Sequence, residues 1–162
     1  MSRSFDVIKY LAAQGKTLAT AESLTGGGIG SVLTAVAGSS AVYKGGVICY
    51  TNEIKRSVLG VQQEILERYG AVSPWVAGEM VSGVRRLMNA DIAVSVTGLA
   101  GPGGDEFGHP VGTVYIGYED HQRSLVQHYR FEGDRQAVRE QTMEAALDLV
   151  FNYNSETKNP PK

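Results

Sequence analysis

The chain has 162 residues, 43% apolar and 20% charged, which is enough for one domain with a real core. A formal net charge of −2 excludes nucleic-acid binding driven by global charge, and a single cysteine, Cys49, excludes an internal disulfide and fits a reducing compartment. No apolar run approaches the roughly 20 residues that span a bilayer, and "MSRSFDVIKYLAAQGK" has no signal-peptide pattern, so a cytoplasmic protein without membrane partners is expected.

In chain order, Phe5, Ile8, Leu11 and Ala12 recur at helical spacing and Gly15 is a natural stop. "TLATAE" (17–22) reads as a buried strand. Ile29, Val32, Leu33 and Val36 predict a helix from about Thr25 to Ala37, ended by Gly38. "GVICYT" (46–51) predicts a second strand, and Asn52 a cap for a short helix closed by Gly60. "QQEILERYG" (62–70) adds further helical turns. Ser73-Pro74 is a helix start, a hydroxyl at the cap and proline at the first position, followed by an apolar face of Val76, Met80, Val81, Val84, Leu87 and Met88. "DIAVSVTG" (91–98) predicts a third, buried strand, and "GLAGPGGDEFGHP" (98–110) a long loop. "VGTVYIGYE" (111–119) and "SLVQHYRF" (124–131) alternate around Asp120-His121-Gln122 and predict a hairpin. Asp134 caps a last helix carrying Val138, Ala145 and Leu149 on one face, and "NSETKNPPK" reads as a disordered tail. The expected fold is therefore α/β, a three-layer α/β/α sandwich around a mixed, mostly parallel sheet. A single domain over residues 1–153 is expected, with a tail over 154–162.

Ligands of open α/β sheets bind beyond the carboxyl ends of parallel strands. Three strand ends carry chemistry: Glu22-Ser23-Leu24-Thr25-Gly26-Gly27, then Tyr50-Thr51-Asn52 with Lys55 close behind, then Thr97-Gly98-Leu99-Ala100-Gly101. Glycines at a helix start leave N–H groups open to a phosphate or an oxyanion, but the pattern is neither a P-loop nor a dinucleotide fingerprint. Taken alone, Ser23 and Thr25 are capping hydroxyls as readily as catalytic ones. Lys55 falls in a helix first turn, the unfavourable end of the dipole for a cation. There it is either a solvated surface lysine or one with a depressed pKa, as a general base requires. Tyr50 either lends its hydroxyl to the same site or is a half-buried strand aromatic. His109, His121 and His128 have no metal-ligand spacing, so no metal is expected. His109-Pro110 either lines a loop over the site or, more simply, is exposed, and Asp105 and Glu106 either hold a metal with a phosphate or, as adjacent acids in a glycine loop, are solvated. Arg135 and Arg139 lie within reach of a substrate phosphate, although surface pairing with Asp134 or Glu140 is the simpler account.

Six segments in order carry a resemblance: "AESLTGG" (21–27), "AGSSAVYKGGVICYTNEIK" (37–55), "YGAVSPWVAGEM" (69–80), "VSVTGLAGPGG" (94–104), "PVGTVYIGY" (110–118) and "GDRQAVREQ" (133–141). Over about residues 5 to 151 the chain resembles the C-terminal domain of the competence/damage-inducible protein CinA, the nicotinamide mononucleotide deamidase family. The resemblance implies hydrolysis of a carboxamide in pyridine-nucleotide recycling by a Ser/Lys dyad, with no cofactor. It puts the serine on Ser23, the lysine on Lys55 and the tyrosine on Tyr50. Gly26 and Gly27 are then the candidates for the oxyanion, and Asn52, Thr97, Gly98 and Gly101 for the nucleotide pocket, while Thr25 either caps the helix or touches substrate. Leu24 stands where cysteine is frequent, Thr51 is an accepted variant, and the N-terminal domain of full-length CinA is not expected here. The implied partner is a small nucleotide, with self-association left open. The alternative is a catalytically silent nucleotide-binding or competence-related interaction protein of the same fold.

Overall fold

A computed structural model describes residues 2–155. Its elements are α1 (Arg3–Gln14), β1 (Leu18–Glu22), α2 (Gly28–Thr34), β2 (Tyr43–Ile48), α3 (Asn52–Leu59), α4 (Gln63–Tyr69) and α5 (Pro74–Met88). They are followed by β3 (Ile92–Gly98), β4 (Thr113–Glu119), β5 (Ser124–Arg130) and α6 (Arg135–Ser155). A single 3₁₀ turn, Ser39–Ala41, leads into β2.

The strands form one sheet in the order β2-β1-β3-β4-β5. β1 runs parallel to both β2 and β3, β4 is antiparallel to β3, and β5 is antiparallel to β4. Four of the five strands therefore share one direction, and the carboxyl ends of β1, β2 and β3 lie along one edge. All five residues of β1 are buried, as expected for a central strand covered on both faces. Leu18, Ile92, Val94, Val96, Val114 and Ile116 pack on one side with Val7, Leu11, Ile29, Leu33, Val138 and Val150 of α1, α2 and α6. Ala19, Ala21 and Ala93 pack on the other with Leu59, Leu66, Val76, Met80, Val81 and Val84 of α3, α4 and α5. This is the expected three-layer sandwich.

The helix ends follow the sequence signals closely. Gly15 takes the left-handed conformation, φ 65°, that closes α1. The Ser73 hydroxyl accepts the Val76 N–H at 3.3 Å, with Pro74 opening α5. Asp134 accepts the Ala137 N–H at 2.9 Å at the start of α6.

Helix α2 ends at Thr34, short of the expected Ala37, and strand β2 begins at Tyr43 rather than Gly46, because pairing with β1 reaches back to Tyr43. Three further boundaries differ, each for a physical reason. Helix α2 starts at Gly28 rather than Thr25, because Gly26 and Gly27 take positive φ, 60° and 96°. Strand β2 ends at Ile48, because the carbonyls of Cys49 and Tyr50 turn away to Lys55. Thr51, one residue earlier than expected, caps α3 by accepting the Ile54 N–H at 3.4 Å. Of the expected tail, Asn154 and Ser155 are the last residues of α6, and Asn154 is buried with its amide on Tyr118 Oη at 3.2 Å. The remainder, 156–162, lies outside the described residues. Among the described residues, no helix is long and apolar enough to cross a membrane.

Candidate active site

A cavity of about 430 Å³ opens at the shared carboxyl edge of β1, β2 and β3, within the range of small-molecule sites. Its floor is Ser23, Leu24 and Lys55. Tyr50, Asn52 and Arg135 form one wall, Thr97 to Gly101 the back, and Gly70 to Val72 with Asp105 to Phe107 the other side.

Ser23 follows directly on β1, and its N–H still donates to Val96 O at 3.1 Å, so the strand's rigidity extends to the hydroxyl. Lys55 is the fourth residue of α3 and only 1% exposed. Its Nζ lies 3.1 Å from Ser23 Oγ, 2.8 Å from Cys49 O and 3.5 Å from Tyr50 O. No carboxylate lies within ion-pair distance of it among the described residues. Burial therefore lowers the Lys55 pKa. The opposing influence, Cys49, is a thiol that burial pushes up to about 11, so it carries no charge at neutral pH. A neutral amine has two N–H donors and one lone pair. The two carbonyls match the donors, and the lone pair is left for the Ser23 hydroxyl.

The glycine turn is arranged differently from the expectation. Glu22, 2% exposed, turns its carboxylate into the turn: it accepts Thr25 Oγ1–H at 2.7 Å, Ile29 N–H at 2.8 Å and Gly30 N–H at 3.1 Å. The anion at the start of α2 is thus the chain's own. Gly26 N–H is already donated to Ser23 O at 3.1 Å. Thr25 is fully buried on Glu22, and Thr25, Gly26 and Gly27 line no part of the cavity. Thr25 and Gly26 are thus engaged within the turn rather than open to a substrate, and none of the three residues borders the cavity in which the oxyanion and substrate roles were expected. Leu24 does line the cavity, and its N–H makes no hydrogen bond among the described residues.

The other expected residues divide. Asn52 lines the cavity mouth. Tyr50 is 59% exposed, and the partner of its hydroxyl is Arg135 Nη2 at 3.1 Å, not Ser23 or Lys55. Thr97 borders the cavity, but its hydroxyl is committed to Ala71 O at 2.8 Å. Gly98 is a packing glycine: a Cβ there would sit 2.6 Å from Val114 Cγ2. Gly101, at φ 91°, turns the back of the cavity and offers its carbonyl to Arg135 Nη1 at 2.7 Å.

The two arginines correct the sequence reading most. Neither pairs with Asp134 or Glu140. Arg135 reaches across the cavity mouth to Gly101 and Tyr50, whereas Arg139 donates to Leu24 O at 3.0 Å and Thr25 O at 3.3 Å, tying α6 to the serine turn. Their spacing of four on one helix face was the available signal. Asp105 and His109 are likewise not simply solvated. The His109 ring and N–H reach the Asp105 carboxylate at 2.6 and 2.9 Å. Burial would raise the Asp105 pKa, but these bonds outweigh it and hold the carboxyl below its ordinary range. The clasp shapes the loop that puts Phe107 at the cavity rim.

Comparison with known proteins shows the family and the fold. The CinA C-terminal domain family matches residues 2–153. A CinA-like protein of Thermotoga neapolitana is 44% identical over 150 residues, covering 93% of this chain and 36% of its own length. One of Rippkaea orientalis is 48% identical over 141 residues, covering 85% of this chain and 34% of its own. The chain thus spans about a third of these relatives. Among solved structures, a CinA superfamily protein of Klebsiella pneumoniae superposes with a TM-score of 0.92 at 38% identity, covering 95% of this chain and 96% of its own. The competence/damage inducible protein CihA of Agrobacterium tumefaciens gives 0.85 at 36% identity, covering 95% and 97%. The chain belongs to the CinA C-terminal domain family.

Proposed function

We propose that the domain is an amidohydrolase that converts nicotinamide mononucleotide and water to nicotinic acid mononucleotide and ammonia. The observation that carries this reading is the buried Lys55 Nζ, 3.1 Å from Ser23 Oγ and without a carboxylate partner, at the floor of a nucleotide-sized cavity. In this mechanism neutral Lys55 takes the Ser23 proton as Oγ attacks the carboxamide carbon. The Leu24 N–H, next in the chain after the nucleophile, faces the developing oxyanion. The resulting ammonium of Lys55 returns its proton to the leaving nitrogen, the C–N bond breaks and ammonia departs. An ester to Ser23 remains. Water, deprotonated by Lys55, adds to that ester; the C–Oγ bond breaks, Ser23 regains its proton and the carboxylic product leaves. Arg135, at the mouth, supplies a forked donor suited to the substrate phosphate.

The test is ammonia release from nicotinamide mononucleotide by the purified protein. Wild type releases ammonia, and Ser23→Ala loses at least about a thousandfold in kcat, as expected for removal of a nucleophile. Absence of release by wild type, or equal release by the variant, rejects the reading. Lys55→Arg keeps the charge but cannot deprotonate, so it should be as inactive as Ser23→Ala.

A further inference from the structure

Phe107 has no part in the chemistry above, yet it stands at the rim of the same cavity. One edge of its ring rests on Gly70: a Cβ at Gly70, whose φ is 77°, would lie 2.6 Å from Phe107 Cδ2. The ring is nevertheless 41% exposed. An apolar ring held against backbone and left half open to a cavity is an available π surface. Its chain neighbours Asp105 and Glu106 are both carboxylates bordering the same space, and Asp105 is held ionised by its His109 clasp. The cavity lining therefore carries both signs of charge, the Arg135 guanidinium and an aromatic ring that directly follows two acids in the chain.

We propose that Phe107 is a specificity-determining residue that stacks on a cationic ring and selects the oxidised, pyridinium form of the substrate. This rests on the amidohydrolase reading. The nicotinamide ring of such a nucleotide is N-alkylated and permanently positive, while its phosphate is negative. The two charges match the two kinds of lining group, guanidinium for the phosphate and aromatic ring with carboxylates for the pyridinium. An aromatic face attracts a cation within about 6 Å of its centroid, and nearby carboxylates add to that attraction. The dihydropyridine form has the same ribose, phosphate and carboxamide but no ring charge, so only the Phe107 wall distinguishes the two.

Binding separates this inference from the catalytic one. In a Ser23→Ala background, which keeps the cavity but not the nucleophile, affinities are measured by calorimetry for nicotinamide mononucleotide and its dihydro form. Phe107→Leu keeps apolar volume and loses the π face. It should weaken the oxidised form by about 3- to 30-fold and the reduced form by less than about twofold. Phe107→Tyr should restore the preference. Equal losses for both forms, or none for either, overturn the role of Phe107 while ammonia release by the wild-type chain still stands. Binding of neither form by the unsubstituted Phe107 protein overturns this proposal together with the nucleotide-substrate reading.

Discussion

Lys55 is the residue on which most depends, because it is buried as an amine without a counter-charge. Its lowered pKa has two measurable consequences. The first concerns activity: kcat/KM should rise with pH through the lowered lysine pKa and level off well below 10.5, the ordinary lysine value. The second concerns stability. Between the lowered value and 10.5 the unfolded state binds more protons than the folded one, so the Lys55 contribution makes stability rise with pH across that window. Below the window the folded state must carry a buried charge. Urea midpoints taken across pH should show this rising component in wild type and not in Lys55→Met. Cys49 acts in the opposite sense, since its folded pKa is raised from 9.0 to about 11 and its contribution falls above pH 9. The two contributions separate by window, since the lysine component lies at and below 10.5 with rising stability and the thiol component above 9 with falling stability. At the cavity mouth, Arg135→Ala removes the forked donor and should lower kcat/KM by roughly 10- to 100-fold, the loss expected for hydrogen bonds to a charged group. A change below twofold would show that the guanidinium does not meet the phosphate.

Elements place these residues through two close contacts. The first is the Glu22 carboxylate in the mouth of α2, which holds the turn that carries Ser23. Glu22→Gln keeps the shape but loses the charge and aims an amide donor at other donors. A loss of about 2 kcal/mol in unfolding free energy is expected, measured by urea denaturation, with lower turnover because Ser23 sits next to it. The second is Gly83, where α5 runs so close to the Leu59 carbonyl that a Cβ would collide with it. Helix α3 ends at Leu59, so Gly83→Ala pushes away the helix that carries Lys55. It should cost about 2 kcal/mol or more and lower activity out of proportion to the folded fraction remaining, read by thermal unfolding beside the ammonia assay. The sequence made much of this level legible. Gly15, Ser73-Pro74 and Asp134 each mark a helix end through local hydrogen bonding, and the structure keeps all three. The turn after β1 was misread because its composition suits an external anion. What fills it is Glu22, whose side-chain direction depends on the neighbouring strand and helix, not on its own segment. Arg135 and Arg139 were misread for the same reason. Their partners, Gly101, Tyr50, Leu24 and Thr25, are remote in sequence, and their nearby acids offered a simpler pairing.

On the scale of the whole molecule, the site is an intersection of distant segments. The nucleophile comes from the end of β1, the base from α3, the guanidinium from α6, and the aromatic rim from the loop after β3. The buried and alternating runs make the strands and a mostly parallel sheet legible, and with them the strand ends that carry the site, whereas the order β2-β1-β3-β4-β5 depends on long-range pairing that no single segment reports. In that sheet β1 lies between β2 and β3, with Thr20 beside both Gly46 and Val94. The consequence is kinetic. During synthesis, the strand carrying the serine has one neighbour available early and waits for the other until some seventy further residues have emerged. Parallel pairings at such separations close slowly because the intervening loop entropy is lost before the contacts form. The serine–lysine pair thus depends on a pairing of long sequence separation for its rigidity, and weakening β3 should slow the recovery of activity on refolding more than weakening β5, an edge strand far from the dyad.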